Sequence, residues 1–78
     1  MPSGISLAKS FQAYQRLGNH IRRSRVNAGL SQMQLANRVC ICHDTMSRIE
    51  RGVCRTEILV ILEIAEILDQ DVVVWLKD

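Results

Sequence analysis

The sequence predicts a small all-α domain of four to five short helices. Apolar residues recur at helical spacing through most of the chain, and capping residues separate the resulting segments. The third observation is compositional: 47% of the 78 residues are hydrophobic but only 4% are aromatic, which suits aliphatic helix packing plus an apolar surface kept for a partner.

Residues 1–5, with Pro2, Ser3 and Gly4, are expected to be a mobile start, and 6–78 a single domain. Phe11, Tyr14, Leu17, Ile21 and Ala28 fall at helical spacing, so a first helix is expected from Ser6 or Ser10 to Asn27, ended by Gly29. Gly18 should weaken it midway. Ser31 can N-cap a second helix, and Gln34 three residues on completes a capping box. Leu35, Ala36 and Val39 form its apolar stripe, which stops at Cys40-Ile41-Cys42.

A third helix fits 43–51, with Met46 and Ile49 facing inward and Gly52 where the chain needs positive φ. Two short helices joined by a tight turn pack at a steep angle. The second then stands out as a rod of the shape that enters a DNA major groove.

Thr56 is expected to cap a fourth helix over 57–68. Its residues are apolar almost all round, which implies burial on most sides and, in so short a chain, a partner subunit. The stretch 71–76 is open. Asp71 could cap a fifth helix, whereas three valines and a tryptophan favour a short strand paired across a two-fold dimer.

The net charge of +2 conceals a polarity. Residues 16–55 carry eight arginines against Asp44 and Glu50, a net of +6, while 56–78 carry six acids against Lys77, a net of −5; Lys9 completes the total. A basic front and an acidic back fit a protein that lays one face on phosphate. No apolar run reaches membrane-spanning length and no signal-peptide pattern opens the chain, so a cytoplasmic protein is expected.

The stretch 30–52 resembles the helix-turn-helix of the lambda-repressor-like family, of Cro/C1 or Xre type. The resemblance is carried by Leu30-Ser31-Gln32, Leu35-Ala36, Val39, Ile41, Thr45, Ser47-Arg48-Ile49-Glu50-Arg51-Gly52 and Ile64-Ala65, and it covers 17–68. Cys40 stands where the family usually has a turn glycine, Cys42 where it has a Ser/Thr cap, and Thr56 where proline is common. The resemblance implies a bundle of four to five helices that binds double-stranded DNA. The turns of the first helix before Leu17 are then an extension, with Phe11 and Tyr14 as packing or dimer residues.

Within that frame the outer face of the 43–51 helix presents His43, Asp44, Ser47 and Arg48 to bases. Arg48 can bind guanine O6 and N7 with two hydrogen bonds. Asp44 can accept from cytosine N4 or simply favour the helix N-terminus. His43 can donate to a base acceptor or to phosphate, and Ser47 permits close approach. The resemblance places Gln32 on a phosphate and runs the loop after the 43–51 helix along the DNA backbone. Arg51, Arg55 and Arg22 are the further phosphate candidates. It also implies an ion pair between Arg25 and Glu50 that ties the first helix to the third. A dimer interface is expected through Ile58, Ile61, Leu62, Leu68, Val72, Val74 and Trp75.

Cys40, Cys42, His43 and Cys54 include metal-ligand types, but not at a standard zinc spacing. A helix separates Cys42 from Cys54 by about 12–15 Å, too far for a disulfide. Free thiols are expected, with no metal and no cofactor. Cys42 at a helix N-terminus is a candidate redox sensor.

Three functions compete. The first is a homodimeric transcriptional regulator that reads a pseudo-palindromic operator. The second is an antitoxin that autoregulates through the same module while its apolar C-terminal part or acidic back grips a toxin or another regulatory protein. The third is an enzyme, which carries very little weight because no nucleophile–base pair, phosphate loop or carboxylate dyad is visible in the sequence.

Overall fold

A computed structural model describes residues 7–77 as five helices: α1 Leu7–Asn27, α2 Gln32–Arg38, α3 His43–Arg51, α4 Ile58–Ile67 and α5 Val72–Lys77. The expected mobile start at 1–5, and Ser6, lie outside the described residues. Among the described residues no helix is long and apolar enough to cross a membrane.

Each of the first four helices closes with the same backbone device. The chain turns left-handed at one residue, and the next N–H returns to a carbonyl five residues back. At the end of α1 this residue is Gly29 (φ 76°), and Leu30 N–H donates to Arg25 O at 3.1 Å. At the end of α3 it is Gly52 (φ 70°), and Val53 N–H donates to Arg48 O at 3.2 Å. Cys40 (φ 58°) and Asp69 (φ 56°) perform the turn after α2 and α4, where no glycine is present. Their successors Ile41 and Gln70 donate to Ala36 O and Ala65 O at 3.0 and 2.8 Å.

The starts are more varied. Ser31 and Gln34 form the capping box of α2: Ser31 Oγ accepts from Gln34 N–H at 3.0 Å, and Gln34 Oε1 accepts from Ser31 N–H at 2.8 Å. The cap of α4 is Glu57 rather than Thr56, and no side-chain bond is made there. At the C-terminal end the helical alternative prevails, and no strand occurs among the described residues. Asp71 Oδ1 accepts from Val73 N–H at 2.9 Å, so the local cap overrides the β preference of the valines.

The core gathers Ile21 from α1, Leu35, Ala36 and Val39 from α2 and its end, and Met46 and Ile49 from α3. Ile61, Ile64, Ala65 and Leu68 from α4 and Trp75 from α5 complete it. This revises the expected dimer interface. Ile61, Leu68 and Trp75 fill the chain's own core, at 2%, 6% and 4% exposure, and Val72 packs partly buried against it. Nearly all-apolar α4 is nevertheless two-sided. Ile61, Ile64, Ala65 and Leu68, spaced i, i+3, i+4, i+7, face inward, while Ile58, Leu59 and Leu62 are exposed. Val73, Val74 and Leu76 of α5 are exposed as well.

Candidate nucleic-acid interface

Helix α3 is held from both sides. Met46 and Ile49 are buried, and α1 and α2 pack against it. Gly18 of α1 sets the approach: a β-carbon there would lie 2.5 Å from the carbonyl oxygens of both Ile49 and Glu50. Nothing in the residue pattern marks this contact; in sequence Gly18 reads only as a weak point in a helix. Gly52 packs as tightly on Gln15, with a virtual β-carbon 2.5 Å from the Gln15 Cα.

The outer face of α3 carries His43, Asp44 and Arg48 exposed, and Ser47 half-buried between them. Asp44 Oδ2 and Arg48 Nη2 are 3.2 Å apart, one helical turn from each other. The two base-contact candidates are therefore partners of each other in the free protein. Both side chains are more than half exposed, so the pair is weak and can open toward another ligand.

Behind this face runs a chain of polar bonds across three helices. Arg25 Nε and Nη2 donate to Glu50 Oε2 and Oε1 at 2.6 and 3.0 Å, and Arg25 Nη1 donates to Leu30 O at 2.8 Å. The Glu50 side chain is 2% exposed and that of Arg25 11%. Glu50 Oε1 accepts a second bond, from Gln32 Nε2 at 3.0 Å, and Gln32 Oε1 lies 3.0 Å from His43 Nε2. Residue spacing does not reveal Gln32 and His43 as partners. A signal was nonetheless present: a buried carboxylate has more acceptor sites than one arginine fills.

The phosphate candidates divide. Gln32 is half-buried, and its amide is engaged with Glu50 and His43 instead of standing free. Arg22 and Arg51, both exposed, line one groove between α1 and the end of α3, together with Gln15, Asn19 and Glu50. Arg51 Nε also donates to Ser47 O at 3.4 Å. Arg55 is exposed in the loop between α3 and α4, in a separate depression beside Phe11, Tyr14 and Val53.

Cys40, Cys42 and Cys54 are free thiols. Cys42 occupies the cap position of α3 without a side-chain cap bond; its Sγ lies 3.0 Å from Thr45 Oγ1. The Thr45 hydroxyl is the main cause that holds the Cys42 thiol below its ordinary pKa. Among the described residues no three histidine, cysteine, aspartate or glutamate side chains come together as metal ligands would.

A search of curated proteins returns no significant match. A family model described as a helix-turn-helix domain matches residues 16–74, which include all of α2 to α4 and the face just described. Such a domain makes DNA the partner and transcription regulation the role. The chain thus belongs to the helix-turn-helix domain family, consistent with its resemblance to the Cro/C1 type.

Proposed function

We propose that the chain is a sequence-specific, homodimeric transcriptional regulator of the cytoplasm. It sets α3 into the major groove of each half of a pseudo-palindromic operator. The observation that carries this reading is the outer face of α3. Arg48, Asp44, His43 and Ser47 point away from a helix whose opposite side, Met46 and Ile49, is locked in the core. A rigid rod with polar tips is what base-edge readout needs. Arg22, Arg51 and Arg55 flank it as phosphate contacts, which add affinity and salt dependence but no sequence choice.

The exposed apolar residues of α4 and α5 support the dimer. Ile58, Leu59, Leu62, Val73, Val74 and Leu76 are each at least 42% exposed. They replace Ile61, Leu68 and Trp75 as the residues that would meet a second copy. Selection of bound sites from random duplex DNA tests the reading. An inverted repeat with half-sites about one helical turn apart is the expected result, and recovery of no common sequence would refute it. The same apolar residues are what a toxin would grip if the chain were an antitoxin. A protein that co-purifies with it in fixed stoichiometry would favour that alternative.

A further inference from the structure

The bond chain from Arg25 to His43 has a direction. Glu50, as the carboxylate partner of a guanidinium, offers only acceptors. The Gln32 atom that faces it must therefore be the amide nitrogen, and the amide oxygen must face His43. An amide oxygen has no proton to give, so His43 Nε2 must carry one. In the neutral ring the remaining nitrogen, Nδ1, then bears a lone pair. Among the described residues no bond to Nδ1 is found, and His43 is exposed on the base-reading side of α3.

We infer that Gln32 is a positioning residue that holds His43 as its Nε2–H tautomer, so that His43 reads an amino group through Nδ1. This rests on α3 lying in the major groove, as proposed above. The amino groups in that groove are adenine N6 and cytosine N4, whereas guanine and thymine present only acceptors at their hydrogen-bonding positions. His43 is then a specificity-determining residue that favours adenine or cytosine on the contacted strand. In the neutral ring Nδ1 cannot donate to guanine or to a phosphate. The buried Arg25–Glu50 pair gains a second role: it orients the amide that sets the tautomer.

The test has two arms, both on the full chain. In the first, nitrogen NMR of the free protein locates the ring proton at a pH where carbon shifts show His43 to be neutral. Nε2–H alone is expected. Gln32→Met, which keeps the side-chain length but loses both bonds, should yield the tautomer mixture of an unrestrained imidazole. In the second, sites are selected from random DNA with wild type, His43→Ala and Gln32→Met. The position whose preference vanishes in His43→Ala should carry adenine or cytosine in wild type, favoured by about three- to tenfold. Gln32→Met should reduce that preference while the other positions hold. A ring protonated on Nδ1, or guanine or thymine at that position, overturns this inference and leaves the DNA-binding reading intact. No sequence-selective binding by any variant overturns both.

Discussion

Gly18 of α1 lies against the backbone of Glu50 in α3, where a β-carbon would fall 2.5 Å from the Glu50 carbonyl oxygen. Both neighbours are helix backbone and cannot swing aside. Gly18→Ala should gain about 1 kcal/mol of helix propensity in α1. It should lose more by prising α1 from α3, for a net destabilisation of about 1–3 kcal/mol. Thermal unfolding measures this; a melting temperature equal to or above wild type would show that the helices re-seat at no cost.

The same junction carries the Arg25–Glu50 pair. Glu50→Ala strands a guanidinium that is only 11% exposed and removes a partner of Gln32. The expected cost is about 3 kcal/mol or more. Replacing Arg25 and Glu50 together by Met and Leu should cost less than Glu50→Ala alone, because no buried charge is left unpaired. Denaturant titration of the single and double variants decides it.

Cys40 performs a left-handed turn at φ 58° with a side chain attached. In this conformation a β-carbon crowds the following carbonyl, at about 1–2 kcal/mol. Cys40→Gly relieves that strain but adds freedom to the unfolded chain. A net stabilisation of about 0.5–1 kcal/mol is expected by denaturant titration. A loss of stability would mean that the Cys40 side chain contributes packing despite its exposure.

The dimer proposal separates two neighbours on α4. Leu62 is 42% exposed and Ile61 2%. Leu62→Asp should leave the protomer folded by circular dichroism, shift sedimentation at micromolar concentration toward monomer, and weaken operator binding. Ile61→Asp should unfold the protomer itself, since it buries a charge in the core. A Leu62→Asp protein that remains dimeric would place the interface elsewhere.

These cases show what was legible in the chain. The capping box at Ser31 and Gln34 and the turn at Gly52 depend on residues within a few positions, and local chemistry decides them. The inward face of α4 was marked only by Glu63 and Glu66, which share a side with Leu59 and Leu62 and lie opposite Ile61, a weak signal in so apolar a helix. The expected interface therefore mixed core with surface. The tail was ambiguous because Asp71 and the valines pull in opposite directions, and only the burial of Trp75 beside the bond from Val73 to Asp71 resolves it. Arg25 and Glu50 are 25 residues apart, and pattern alone could not pair them. Gly18 carried a signal opposite to its role.

Arg48 and Arg55 test the base-reading face itself. Both are exposed and carry the same charge, so loss of charge cannot account for a difference between their variants. Arg48 stands on the outer face of α3 and pairs there with Asp44, 3.2 Å away. An exposed pair of this kind is worth about 0–1 kcal/mol, less than the 1–3 kcal/mol of a two-bond contact to guanine, so DNA should open it. Arg48→Ala should therefore cost about 1–3 kcal/mol per half-site and relax the preference at one base position. Arg55, in the loop beyond α3, should act on phosphate. Arg55→Ala should weaken all sequences alike and lower the slope of log affinity against log salt by about one. Affinities for a selected site and its single-base variants, at several salt concentrations, separate the two. If Arg48→Ala behaves as Arg55→Ala does, Arg48 reads no base. If neither changes binding, DNA does not lie on this face of α3.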